Sequence, residues 1–235
     1  GETIRIGAAA GADLVLIETM SDSYEAKAAV LAAKENCDLP VLVTLIFDEK
    51  GKLLTGGTVD STVAMLEGLR VDALGVNCGL GPKQMHPIIE RLTQVSSLPI
   101  IVNPNAGLPR SENGKTVFDI APAEFSDLME EIAGMGVQAL GGCCGTTPEH
   151  LRLTIEKCRK VPFRPPVAKR RTVVSSFSQA VKIGPKPVII GERINPTGKS
   201  KFKAALRENN IEYILGEGMA QEDSGAHILD VNVGL

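Results

Sequence analysis

No surplus of basic charge marks this chain: 25 lysines and arginines stand against 28 aspartates and glutamates, a formal net charge of -3. The one dense basic run is Lys169-Arg170-Arg171. Without a basic stripe there is no electrostatic footprint for a polyanion, which argues against nucleic acid as a partner. No apolar run approaches the roughly 20 residues that span a bilayer. The opening Gly1-Glu2-Thr3-Ile4-Arg5 lacks both an initiator methionine and the apolar core of a signal peptide. A cytoplasmic protein is expected, and the missing methionine points to a fragment. An even complement of cysteines is lacking too. Cys37, Cys78, Cys143, Cys144 and Cys158 are odd in number and embedded in apolar stretches, which suits reduced thiols or metal ligands better than a disulfide framework.

What is present is a repeating alternation. With 43% hydrophobic residues over 235 positions, the chain can bury a core of one large or two modest domains. Leu14–Ile17, Val41–Phe47, Ala73–Val76, Pro99–Val102 and Val137–Leu140 read as strands. Helices are expected from Ser21 or Asp22 through Ala33, from Val59 to Arg70, from Pro87 to Gln94, from Pro122 onward, and from Thr147 to about Lys160. Near-continuous apolar strands separated by helices predict a parallel sheet with helical crossovers. A doubly wound sheet gathers its ligand-binding residues at one switch point. Here polar residues end strand after strand: Glu18, Asn77 with Cys78, Asn105, Cys143 with Cys144. That pattern favours a (β/α)8 TIM-barrel type of α/β fold, whose site is assembled on one rim. About five of its eight strand-helix units are present. The barrel part is assigned to 1–161 and a proline-rich linker to 162–186. A second domain, 187–235, carries two further strands, Pro187–Ile190 and Ala226–Val233.

The chemistry concentrates in Gly141-Gly142-Cys143-Cys144-Gly145-Thr146-Thr147-Pro148-Glu149-His150. Adjacent cysteines close into a disulfide only with strain, whereas two neighbouring thiolates on a glycine-flanked turn can grip one soft metal ion. Cys78, at the end of a strand two places away, is the candidate third ligand. Three thiolates around zinc leave one position open, the mark of a catalytic site. A substrate thiol entering that position would be deprotonated near neutral pH, so the implied chemistry is attack of a substrate thiolate on an alkyl group. Cys37 and Cys158 read as packing residues. Glu18 is either a solvated carboxylate or the holder of a substrate ammonium. His86 and His150 sit at helix starts without a ligand role, and His227 reads as packed inside a strand. Pro196-Thr197-Gly198-Lys199-Ser200 imitates the end of a phosphate-binding loop, but Arg193 stands where the motif requires its first glycine.

Three elements together resemble the homocysteine-binding module of the cobalamin-dependent methionine synthases: Gly75-Val76-Asn77-Cys78-Gly79, Asn103-Pro104-Asn105-Ala106-Gly107-Leu108-Pro109 and Gly141-Gly142-Cys143-Cys144-Gly145-Thr146-Thr147-Pro148. The resemblance implies a methyltransferase in which Cys78, Cys143 and Cys144 bind zinc. It also implies that Asn105 lies close to the metal and fills its open position when substrate is absent, and that Glu18 helps hold the amino group of homocysteine. Homocysteine methyltransferases using betaine or S-methylmethionine share the module and are the alternative. A non-catalytic zinc or thiol-redox module is the alternative of another class. Farther along, Gly191-Glu192-Arg193-Ile194-Asn195-Pro196-Thr197-Gly198 and Gly225–Gly234 resemble the first two strands of the methyltetrahydrofolate-binding barrel of the same synthases. That likeness implies that Asp230 and Asn232 hydrogen-bond the pterin, with Glu192 and Asn195 nearby; Asp230 as a plain strand-end cap is the other reading. The parent enzyme would pass a methyl group from methyltetrahydrofolate, through a cobalamin module in cis or trans, to zinc-bound homocysteine. Covering only the later part of one barrel and the opening of the next, the piece is expected to be inactive alone.

Overall fold

The apolar runs become strands β1 (Val15–Met20), β2 (Val41–Leu45), β3 (Ala73–Asn77) and β4 (Ile100–Asn103), followed after a small hairpin of β5 (Arg110–Glu112) and β6 (Lys115–Val117) by β7 (Ala139–Leu140). Between them run helices α1 (Glu2–Ala9), α2 (Ser23–Lys34), α3 (Val59–Gly68), α4 (Pro82–Val95), α5 (Pro122–Gly134) and α6 (Pro148–Cys158). This computed structural model describes residues 1–184 and 186–234. They divide into two units, one of Gly1–Arg170 with Ser175–Ala180, the other of Arg171–Val174 with the chain from Val181 onward. No helix among the described residues is long and apolar enough to cross a membrane.

The first unit is an α/β fold around a five-stranded parallel sheet in the order β1-β2-β3-β4-β7. The order follows the chain without reversal, so the sheet has no switch point of the doubly wound kind. Helix starts are set locally. Asp22 accepts the Glu25 N–H at 2.7 Å ahead of α2, Thr58 and Ser61 form a capping box on α3, and prolines stand in the first turn of α4, α5 and α6, where their missing N–H costs nothing. Strand alternation sends Val41, Val43, Leu45, Leu74, Val76, Ile100 and Val102 into one apolar cluster with Val30, Leu66, Met85, Ile89, Phe125 and Met129 of the helices. Full burial of each large side chain contributes about 1.5–3 kcal/mol. Ala73 and Ile101 are buried too but lie outside that cluster, on the alternate face with Thr44 and Gly75.

Several expectations shift. Helix α4 begins at Pro82 rather than Pro87, which lies inside it, because extended Gly81 and Pro82 already set a helix start. The polar loop after Gly107 contains the β5–β6 hairpin, whose Asn113-Gly114 turn has φ of 51° and 74°. The stretch 162–186 holds two paired strands, β8 (Thr172–Ser175) and β9 (Ala180–Ile183). In the second unit β10 (Ile190–Ile194) starts three residues later than expected and pairs in parallel with β11 (Ile228–Val231). Two helices, α7 (Ser200–Arg207) and α8 (Ile211–Asp223), make the crossover between them.

Candidate metal centre

Strand β3 ends in an abrupt turn. Cys78 has φ of 56° and Gly79 of 73°, and the Leu80 N–H donates to the Cys78 carbonyl at 2.8 Å, closing a γ-turn. A non-glycine residue at positive φ is uncommon; here it swings the Cys78 side chain off the line of the strand. A Cβ on Gly79 would lie 2.9 Å from Ile46 Cγ2, so only glycine fits.

The double cysteine follows β7 and is laced to the loop after β4. The Cys143 N–H donates to the Pro104 carbonyl at 2.8 Å, the Cys144 N–H to Asn105 Oδ1 at 3.0 Å, and the Ala106 N–H to the Cys144 carbonyl at 2.9 Å. These bonds carry a ladder past the point where the sheet ends. Thr146 closes the turn by donating its hydroxyl to the Cys143 carbonyl at 2.7 Å. Gly145 sits at φ 80°, and a Cβ there would lie 2.3 Å from the Phe118 ring. His150 then locks the far end. Its Nδ1 accepts the Thr147 N–H at 3.1 Å, which leaves Nε2 to donate to the Ile120 carbonyl at 3.0 Å, while Phe125 packs edge-on against the ring.

These constraints bring together the three expected thiols. Cys78 Sγ lies 3.7 Å from Cys144 Sγ, and Cys143 Sγ 4.0 Å from Cys144 Sγ; all three sulfurs fall within 4.8 Å of one another. Zinc–sulfur bonds of about 2.3 Å at tetrahedral angles place sulfurs about 3.8 Å apart, so the donor set fits a soft four-coordinate cation with one position left over. Burial, then the neighbouring Cys78, pushes the Cys143 thiol up to about 12. Desolvation disfavours the charged thiolate, and a second sulfur close by adds to that cost.

Around the thiols the structure places the other expected residues unevenly. Asn105 is buried, and its oxygen is engaged by the Cys144 backbone. Glu18 stands exposed near the end of β1, at an irregularity where the β1–β2 register shifts between Ile17 and Met20. Next to it Thr19 takes φ of 66°. The fully buried Asn77 connects the two sides. Its Oδ1 accepts the Thr19 N–H at 3.1 Å; its Nδ2 donates to Thr19 Oγ1 at 2.6 Å and lies 4.0 Å from Cys143 Sγ. A cleft of about 380 Å³ is lined by Ser21, Ile46, Phe47, Leu53, Gly79 and Leu80, among others; it reaches the turn after Cys78 but none of the three thiols lines it.

Sequence reasoning left Thr19 and Phe118 without a role, marked Asn77 only as a strand-end residue and treated His150 only as a helix-start residue. Thr147 with His150 three residues on is the spacing of a capping box, a signal that was there to be read. Cys37 donates weakly to the Ala33 carbonyl at 3.5 Å and Cys158 packs against the core. His227 departs from expectation: it is exposed, precedes β11, and its Nδ1 accepts the Ile189 N–H at 3.1 Å. In the second unit, Glu192 and Asp230 lie on β10 and β11, and Asn195 and Asn232 directly follow them. Asn195 and Asn232 thus stand just past the carboxyl ends of two paired strands, with Asp230 one residue inside β11 and Glu192 in the middle of β10. Lys199 Nζ donates to the Arg193 carbonyl at 3.0 Å.

Comparison with known proteins agrees with this geometry. Residues 1–158 match the family model described as homocysteine S-methyltransferase. Methionine synthase of Mycobacterium leprae is 34% identical over 236 aligned positions, covering 95% of this chain and 20% of that protein. Its Mycobacterium tuberculosis counterpart is 31% identical, with 95% and 19% covered. The chain therefore spans only a fifth or so of the relatives it matches. Among solved structures, the metallated form of the homocysteine methyltransferase MmuM from Escherichia coli superimposes with a TM-score of 0.52 at 25% identity, over 68% of this chain and 52% of that one.

Proposed function

The chain belongs to the homocysteine S-methyltransferase family, and from that premise we propose that it supplies the thiol-activating part of a methionine synthase. Cys78, Cys143 and Cys144 would hold zinc, with homocysteine as substrate. When bound, zinc supplies the positive charge that keeps a substrate thiol deprotonated near neutral pH. The chain's own residues do the rest. Glu18, exposed near the end of β1, takes the substrate ammonium. Asn105 keeps the double cysteine aimed inward through the Cys144 N–H. The observation that carries the reading is the convergence of three sulfurs from two distant segments, within 4.8 Å of one another.

The finer architecture belongs to the same proposal. The singly wound sheet is the later part of an eight-stranded barrel, comprising residues 1–161; 162–186 link it to the opening of a pterin-binding barrel at 187–235. There Glu192, Asn195, Asp230 and Asn232 would meet methyltetrahydrofolate, and a cobalamin module in cis or trans would carry the methyl group between the two sites. Support comes from the alignment with the two mycobacterial synthases, which extends through the second unit. Free cysteines fit a reducing compartment, and we place the protein in the cytoplasm.

The test is Cys143→Ala in the full-length protein. About one zinc per chain and homocysteine methylation are expected before the change, and both are expected to be lost after it. Unaltered methylation would refute the proposal. A second reading keeps the same thiol centre and homocysteine as substrate, with betaine or S-methylmethionine giving the methyl group. Turnover that requires methyltetrahydrofolate and a corrinoid decides between them. A non-catalytic zinc or redox module is separated by X-ray absorption at the zinc edge, since only a catalytic centre gains a sulfur neighbour when homocysteine is added.

A further inference from the structure

Asn77 does more than end a strand. Because the Thr19 N–H can only donate, the amide oxygen of Asn77 must face it, at 3.1 Å. The amide orientation is thereby settled by chemistry, and the NH2 group is committed to the other side. Its Nδ2 donates to Thr19 Oγ1 at 2.6 Å and has Cys143 Sγ at 4.0 Å, a long reach suited to a large sulfur. Asn77 is 0% exposed, so every polar atom of its side chain is spent on this bridge.

Thr19, the other partner, is under strain. A β-branched residue at φ 66° is disfavoured against an ordinary strand conformation, and such conformations persist only where neighbours over-determine them. The two bonds from Asn77 do this. They fall where the β1–β2 register shifts between Ile17 and Met20, a bulge of the kind that re-aims a side chain beside an active site. The exposed residue carried on that irregularity is Glu18.

We infer that Asn77 is a positioning residue that fixes the Glu18 bulge to the Cys143 sulfur, holding the substrate's ammonium anchor and its thiol-binding centre at one set spacing. The inference rests on the reading of Glu18 and the cysteines given above. It also assigns Asn77 a direct effect on the metal, because an N–H directed at a thiolate disperses its charge and orients it, as outer-shell partners of metal ligands do.

The experiment uses the full-length protein, with Co2+ as the spectroscopic probe and homocysteine as substrate. Asn77→Asp keeps the acceptor for the Thr19 N–H and the side-chain shape, but sets a carboxylate oxygen against Cys143. A shifted sulfur-to-cobalt charge-transfer band is expected, with Co2+ affinity lower by about 10–100-fold in chelator competition. Thr19→Gly is the companion variant. Glycine adopts positive φ freely, so the fold is kept while Oγ1 is lost and the bulge loosens. A several-fold rise in KM for homocysteine is expected, with Co2+ affinity unchanged. A wild-type spectrum and affinity in Asn77→Asp, alongside metal loss in Cys143→Ala, overturn the role of Asn77 and leave the metal centre standing. If Asn77→Asp does not fold, Thr19→Gly decides: an unchanged KM overturns the inference and a raised one supports it.

Discussion

Cys143 keeps its proton up to about 12, against an ordinary 9.0, chiefly because it is buried and crowded by Cys78. A divalent cation binding there must expel that proton. Metal uptake by the apo protein is therefore expected to release protons and to weaken steadily as pH falls; titration calorimetry in two buffers of different ionisation enthalpy measures the count. The same shift has a second consequence. A folded thiol that holds its proton more tightly than the unfolded one contributes stability fully below about pH 9, and that contribution disappears as pH rises toward 12. Metal-free protein should accordingly unfold at lower denaturant concentration across that alkaline window, and Cys143→Ser should flatten the profile. At this scale much of the site was legible, because glycines beside cysteines and polar residues at strand ends declare a rim. Asn77 was visible there as a strand-end amide. Its partnership with Thr19 was not, since a 58-residue separation leaves no local trace of the bond.

Helix α6 is the element that keeps the double cysteine in place, and His150 is the pin. Replacing His150 with Ala removes an N-cap partner, the bond to the Ile120 carbonyl and the edge contact with Phe125. A loss of about 1–2 kcal/mol is expected on chemical denaturation, with metal affinity falling as the turn before it slackens. Gly145→Ala should cost about 1–3 kcal/mol, because the new methyl meets the Phe118 ring while φ stays at 80°. A wild-type melting curve for that variant would show that the 141–147 turn can repack. The elements easiest to foresee were those with an apolar face, such as β2 and α3. The β5–β6 hairpin has almost no buried side chain, so hydrophobic pattern is silent on it; only Asn113-Gly114 marks the turn. Helix α7 was obscured by the phosphate-loop imitation that runs into it.

For the whole first unit, the decisive feature is a sheet whose two outermost strands, β1 and β7, each pair on one side only among the described residues. Leu14 and Leu16 near the β1 edge are 44% and 45% exposed. Unpaired parallel edges beside apolar surface invite intermolecular pairing. The 235-residue chain by itself is expected to sediment as self-associated species. A monodisperse monomer with one sharp melting transition would contradict this and would mean that the open sheet is self-sufficient. Sheet type and strand order were foreseeable from the alternation of runs. The paired strands at 172–183 were not, because a proline-rich approach and short polar segments read as a tether.

Two of the three sulfurs follow β7, the third follows β3, and β4 runs between them. A sheet in which any one of these strands slipped by a residue would turn a thiol to the wrong face. Cation capture at that centre would thus serve as a checkpoint on assembly: nascent protein able to take up metal would already have threaded its middle strands correctly, and a misregistered copy would be left empty-handed.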